Sequence, residues 1–386
     1  MKCSAAPDGR NHVPRYIYCT MFLAFLGAFQ VAAAQPAPVY NGLAGQITAQ
    51  APRIDTAITV DGNLDEAVWS RAAVLTGFSE YSPADQRPSP DSTDVRVWYS
   101  PTAIYFGIRA YEPHGPVRAT LADRDNISSG DNIEIHLDTY NERNRTLVFA
   151  VNPLGVQEVG TKNETGGFIP GSNVGPGQID LSADFLWESK GHVTPWGYEV
   201  ELRIPFSSLR YPSKAIQDWG IQIQRNVQHS GYKETWTSTR SGAASFINQE
   251  GLLKGLHGMH HGQVVGLNPE LTNTVTGNPC CNSSLTGWKY SSKPQLGGNV
   301  RWALGSNFVL NGTVKPDFSQ VEADATQIAA DQRFALFYPE KRPFFVEGSD
   351  QFNVPNTLVY TRTIVQPTAA MKLTGKLGRT DVAVLS

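Results

Sequence analysis

Carboxylates, guanidinium groups and amides gather in two stretches of this chain, Asp123-Arg124-Asp125 with Asp131 and Glu134 in one, and Arg225-Asn226 in the other. Side chains of these types grip hydroxyl groups, because a carboxylate accepts while a guanidinium or amide donates, and a charged partner raises each hydrogen bond to about 1.5–3 kcal/mol. Arg124, Asp131, Glu134, Arg225 and Asn226 are therefore the candidate binding set, lining a hydroxyl-rich pocket. The blander reading is sheet-end ion pairs and turn caps, which contribute little. Hard cations take clustered carboxylate and amide oxygens, so Asp131, Asp138 and Asn141 are also candidate calcium ligands, although no D-x-D-x-D-G loop is present. Catalysis by paired carboxylates would set Glu134 against Glu199 or Glu201 about 5 or 6.5–9.5 Å apart across a cleft. Glu199 and Glu201 instead alternate with Val200 and Leu202, which predicts the solvent face of a strand. No nucleophile-elbow, zinc-protease, phosphate-loop or dinucleotide pattern occurs, so the expectation is a protein that binds without catalysing.

The elements that must hold these residues are strands. In Asn132-Ile-Glu-Ile-His-Leu-Asp138 the apolar Ile133, Ile135 and Leu137 point one way, and Glu134, His136 and Asp138 the other, as in a sheet with one wet face. Similar runs at Asp94–Tyr99, Ala103–Tyr111, Thr146–Asn152, Leu186–Thr194, Gly197–Pro205, Trp219–Val227 and Glu234–Ser238 predict a β-sandwich. Ile58–Trp69 reads as a short strand, a D-G turn and a helical turn that buries Leu64, Val68 and Trp69, and Asn152–Gln157 reads as a tight turn. Residues 35–52, rich in Ala, Pro, Gly and Gln without a period, are expected to be a linker ahead of a module over 53–255.

Residues 1–34 carry Lys2, Arg10 and Arg15 before the apolar Ile17–Val31 and end in Ala32-Ala33-Ala34, the pattern of a secretory signal cleaved before Gln35. No later segment holds 18 consecutive apolar residues, so entry of the mature chain into a membrane would require β-strands. The 35 Gly and 25 Pro suit an all-β chain, and a net charge of -3 without a basic run argues against a nucleic-acid partner. Of four cysteines, two fall in the signal, and Cys280-Cys281 are neighbours that bond each other poorly, leaving either inert loop thiols or an intermolecular or oxidised pair.

Four segments, V-D-G-N-L-D-E-A-V-W from Val60, D-N-I-E-I-H-L-D from Asp131, G-Y-E-V-E-L-R-I-P-F-S-S-L from Gly197 and W-G-I-Q-I-Q-R-N from Trp219, resemble a family 9 carbohydrate-binding module. The resemblance implies a jelly-roll-like β-sandwich that binds polysaccharide or oligosaccharide without hydrolysing it, and related modules carry calcium. The best-understood members clamp the sugar between two tryptophans, one of them three residues before the aspartate that opens the D-x-[IV]-E strand. Ser128 stands there, Phe246 and Ser245 occupy the loop of the second, and Ala150 replaces an arginine, while the acidic residue is kept as Glu134. Losing two rings and a charged hydrogen bond removes several kcal/mol of affinity, so the ligand differs or its site has moved.

Beyond Leu256 the alternation lengthens. Leu296, Gly298, Val300, Trp302 and Leu304 share one face opposite Gln295, Gly297, Asn299 and Arg301, and Phe308, Leu310, Gly312 and Val314 repeat the pattern after a Gly305-Ser306-Asn307 turn. K-P-D-F-S-Q-V-E-A-D from Lys315 and R-F-A-L-F-Y-P-E-K-R-P-F-F-V-E-G from Arg333 lack either period and predict a shaped loop, with Asp317, Glu322 and Asp324 available to Lys341 and Arg342 and with Phe344 and Phe345 packing it down. This stretch resembles an uncharacterised outer-membrane β-barrel family in which the barrel follows a family 9-like module. The resemblance implies that 256–386 holds the opening strands of an incomplete outer-membrane barrel, Gln263–Val275 first and Met371–Leu377 and Asp381–Ser386 fourth and fifth, with the sandwich in the periplasm. A closed barrel needs at least eight strands, so a fragment is expected. The alternative function is a structural or transport barrel whose sandwich binds a partner protein or plugs the pore.

Overall fold

The computed structural model describes residues 37–164, 177–181, 185–262, 264–279, 288–316, 340, 342–352, 359–365, 367–378 and 380–386. The expected signal, Cys280-Cys281, Asp317, Glu322, Asp324 and Lys341 lie outside them. In chain order the strands are β1 (Val39–Asn41), β2 (Thr48–Ala49), β3 (Ala73–Thr76), β4 (Ser79–Ser82), β5 (Thr93–Tyr99), β6 (Ala103–Tyr111), β7 (Asn132–Asp138), β8 (Arg145–Val151), β9 (Gln157–Asn163), β10 (Ile179–Asp180), β11 (Glu188–Thr194), β12 (Gly197–Pro205), β13 (Ile216–Val227), β14 (Tyr232–Thr235) and β15 (Gly251–His257). Five more follow: β16 (Val265–Pro279), β17 (Trp288–Leu304), β18 (Phe308–Val314), β19 (Ala369–Leu377) and β20 (Thr380–Leu385).

Two sheets make the sandwich. The first runs β1-β3-β5-β6-β12-β11, and the second runs β10-β9-β8-β7-β13-β14-β4, with β15 and then β2 added beside β13. Every second residue enters the interior: Val95, Val97, Ile104, Phe106, Ile108, Val200, Leu202 and Ile204 from the first sheet meet Ile133, Ile135, Leu137, Phe149, Val151, Ile221 and Ile223 from the second. Each fully buried aliphatic or aromatic side chain contributes about 1.5–3 kcal/mol, which is why this seam defines the fold.

Three expectations change. Residues 35–52 are not a free linker, since β1 pairs in parallel with β3 and β2 with β15. Glu201 is not on a wet face. Leu64, Val68 and Trp69 form a second apolar cluster with Trp98 and Tyr105 on the outside of the first sheet, and this cover leaves Glu201 buried, accepting the backbone N–H groups of Asp61 and Gly62 at 2.8 and 3.1 Å. His136 and Asp138 are likewise buried, although their strand alternates as predicted. The Asn152–Gln157 turn is as read: Asn152 Oδ1 accepts from Leu154 and Val156, and Gly155, at φ 81°, passes so close to Lys190 that a Cβ would lie 2.8 Å from its Cα.

The strands β16 to β20 form an antiparallel sheet in sequence order, which does not close into a barrel among the described residues. The first two are longer than expected, at 15 and 17 residues. Their register aligns Leu267 with Val300 and Val265 with Trp302, and these in turn with Gly312 and Leu310 of β18. On this face Leu267, Leu271, Leu296, Val300, Trp302, Met371 and Val384 are all exposed. The opposite face is the dry one: Asn311, Thr313, Lys372 and Thr374 are buried there. Arg301 pairs with Glu347 at 2.6 Å, the Lys372 ammonium donates to the carbonyls of Phe344 and Glu347, and Phe344 and Phe345 are buried edge to face at 5.0 Å. Apolar outside and polar inside is the reverse of a water-soluble sheet. No described helix is long and apolar enough to cross a membrane.

Candidate functional site

The outer face of the second sheet brings two of the predicted residues together. Adjacent register places Gln224 beside Glu134, and Glu134 beside Ala150. Glu134 Oε1 accepts from Asn226 Nδ2 at 2.7 Å and Gln224 Nε2 at 3.1 Å, while Oε2 lies 3.1 Å from His136 Nε2. Asn226 Nδ2 also donates to Asn132 Oδ1 at 2.6 Å. Burial alone would raise the Glu134 pKa, but the hydrogen bonds from His136 and Asn226 outweigh it and hold the carboxyl below its ordinary range. Burial lowers the His136 pKa, so at neutral pH its Nε2–H donates to a carboxylate.

Beside this amide-carboxylate row stands Phe246. Its ring is 5.2 Å from that of His136 and 5.4 Å from Tyr81, and the Lys162 ammonium sits 3.9 Å from its centroid. Glu164 anchors the segment by accepting from the Ser245 hydroxyl and from the backbone N–H groups of Phe246 and Ile247. Phe246 thus occupies the neighbourhood expected of a sugar platform, but its face holds a cation and only 6% of it is exposed. Gln224 and Lys162 were missed in the sequence. Gln224 had a signal, since Gln222, Gln224 and Asn226 alternate along β13. Lys162 had none, because β9 lacks apolar alternation.

The other predicted residues lie elsewhere. Arg225 aligns with Ile133 and so points into the sandwich, fully buried, donating to Glu112, Thr93 Oγ1 (2.8 Å), Ser92 O (3.1 Å) and Tyr111 O (2.7 Å). It lines no pocket with Glu134, because neighbouring residues on a strand face opposite ways. Asp131 is buried and accepts from the backbone N–H groups of Arg118 (2.6 Å) and Gln228 (2.7 Å), which ties two loops together. Arg124 donates to Phe185 O at 3.0 Å. Asp138 Oδ1 and Oδ2 accept from the N–H groups of Tyr140 (3.2 Å) and Arg143 (2.7 Å), and Asn141, at φ 52°, is an exposed turn residue. Both Asp138 oxygens therefore cap a turn.

The first sheet carries a groove of about 440 Å³ lined by Arg109, Tyr111, His192, Thr194, Trp196 and Glu199. Arg109 Nε pairs with Glu199 Oε1 at 2.6 Å, and the rings of Tyr111 and Trp196 lie 4.9 Å apart, with Trp196 37% exposed. The sequence did carry a hint, an aromatic residue in the Pro195-Trp196-Gly197 hairpin turn.

In comparison with known proteins, residues 60–248 match the family model described as carbohydrate family 9 binding domain-like, and residues 280–379 match a domain of unknown function (DUF5916). No curated protein matches the chain. Among solved structures, a family 9 carbohydrate-binding module from Caldicellulosiruptor kristjanssonii in complex with cellotriose is similar at 17% identity and a TM-score of 0.35, over 53% of this chain and 92% of that one. The glucose complex of such a module from the same organism gives 19% identity and a TM-score of 0.37, over 52% and 94%. A putative carbohydrate-binding protein from Bacteroides uniformis gives 12% and 0.41, over 54% and 98%.

Proposed function

We propose that the sandwich binds a glycan without catalysis, at the Glu134 face of the second sheet, in a protein exported to the outer membrane and serving polysaccharide breakdown or uptake. The observation that carries the reading is the fixed row Gln224–Glu134–Asn226, in which an ionised carboxylate and two primary amides are preorganised to exchange hydrogen bonds with adjacent hydroxyls. Ligand hydroxyls would replace part of this internal set and gain charge-assisted bonds of about 1.5–3 kcal/mol each. Glu134→Ala will weaken binding of the chain to an insoluble or arrayed glycan roughly tenfold or more. A variant that folds and binds like the parent in affinity electrophoresis would refute the site.

A second location has one observation in its favour. The Trp196 and Tyr111 groove supplies the exposed ring that the Glu134 face lacks, next to a guanidinium-carboxylate pair. A ring against a sugar face is worth on the order of 1 kcal/mol, so Trp196→Ala will reduce affinity about fivefold if the ligand lies here and leave it unchanged if the ligand lies on the second sheet.

Membrane residence is supported by the reversed polarity of β16 to β20, whose exposed aliphatic rows match a lipid environment. A positive charge at the midplane of such a face costs about 2–4 kcal/mol, so Val300→Arg will shift the chain from the membrane fraction to the aggregated fraction after cell lysis. Equal fractionation of variant and parent would count against lipid contact.

A further inference from the structure

At the open end of the sandwich interior, away from the Glu134 face, three side chains from different segments converge: Asp91 ahead of β5, Glu112 at the end of β6 and His229 after β13. One ligand atom from each lies within 4.8 Å of the others. Asp91 and Glu112 are buried, and the His229 side chain is 16% exposed.

The group is short of positive charge. Arg225 is the buried cation here, pairing with Glu112 and Glu234, and Asp91 lies close enough to both carboxylates to add its charge to theirs. Three carboxylates thus crowd one guanidinium, an arrangement that favours a further cation. Glu112 spends Oε1 on Arg225, but its buried Oε2 has no hydrogen-bond donor; the nearest polar atom is His229 Nδ1 at 3.3 Å, itself buried and without a hydrogen bond. A nitrogen and an oxygen ligand atom thus face each other, neither taken up by a hydrogen bond. Gly115 gives the imidazole its room, since a Cβ there would lie 2.5 Å from His229 Cδ2. His114, on the same loop, places Nδ1 2.5 Å from Asp91 Oδ1, the contact by which a second imidazole orients a ligating carboxylate.

We infer that Asp91, Glu112 and His229 form a divalent-metal site of mixed nitrogen and oxygen ligands, suited to Zn²⁺ with its fourth position open to water or to a ligand group. Bonds of about 2.0–2.2 Å would draw the three atoms together by roughly 1 Å, within the reach of side-chain rotation. A dication adds positive charge where the carboxylates crowd, and one nitrogen among two carboxylates favours zinc over calcium, which takes six to eight oxygens.

The test is metal binding by the purified full chain, stripped with chelator and dialysed against Zn²⁺, with Co²⁺ as a visible-absorbing substitute. One equivalent will bind, the Co²⁺ form will absorb in the visible, and Zn²⁺ will raise Tm. His229→Ala and Asp91→Asn will each weaken binding at least tenfold, and the rise in Tm on adding Zn²⁺, measured against each variant's own metal-free form, will be lost. No stoichiometric binding, binding unchanged in both variants, or stabilisation by Ca²⁺ alone would overturn the assignment. So would a metal-free His229→Ala protein that loses stability while the parent takes up no metal, since His229 would then be a protonated partner of Glu112.

Discussion

Arg225→Met will destabilise the sandwich by about 3–5 kcal/mol, the usual result of removing one partner from a buried ion pair. The guanidinium is wholly buried and contacts Glu112, Glu234, Thr93 and two backbone carbonyls, so methionine fills the space of its stem but abandons two carboxylates and three neutral acceptors in a dry interior. In denaturant titrations followed by tryptophan fluorescence this appears as a lowered midpoint, and in thermal melts as a fall on the order of 10 °C. Adding Glu112→Gln to Arg225→Met will recover part of the loss, because the orphaned charge is then gone. A midpoint unmoved by Arg225→Met would show that the carboxylates carry protons and need no cation.

Stability will also fall as pH rises from 5 to 8. Burial pushes the Glu201 carboxyl up to about 7, and burial reinforced by the Asp138 charge pushes Glu250 up to about 8, against 4.5 for the ordinary group. Between these values the folded chain keeps protons that the unfolded chain has released. The stabilisation is therefore complete below about pH 4.5 and is lost as pH climbs through 7 and 8. At about 1.4 kcal/mol per pH unit, each group is worth on the order of 3 kcal/mol across that window. Melting the Glu201→Gln/Glu250→Gln double variant at pH 5 and pH 8 checks it: the amides keep the volume and a carbonyl acceptor, so the difference between the two pH values will shrink. A parent protein whose Tm is flat over this range would contradict the protonated state.

How much of this was legible follows from what a period of two can and cannot say. Alternation located β5, β6, β7, β8, β12 and β13 within a few residues, and it put Ile133, Ile135 and Leu137 in the core. It also sorted the faces of β17 and β18 correctly, Val300 and Trp302 against Asn299 and Arg301. It could not report what lies over the far side of a strand. Glu201 and His136 are buried by the segments around Trp69 and Phe246, which are distant in sequence, so their cover had no local signal. Arg225 was a different error: as the neighbour of Asn226 on one strand it had to face away from it, and the period itself forbids the shared pocket. The short β1, β2 and β4 are too brief to show any alternation, and Gly160 in β9 interrupts what little that strand has.

The reversed polarity of the last sheet has a practical side. A polypeptide whose greasy side looks outward has no stable way to rest in plain buffer, where every such surface is adhesive to its neighbours. On the membrane residence proposed above, newly made copies would need an escort that shields them on the way, and refolding from urea would succeed in micelles and fail by precipitation without them.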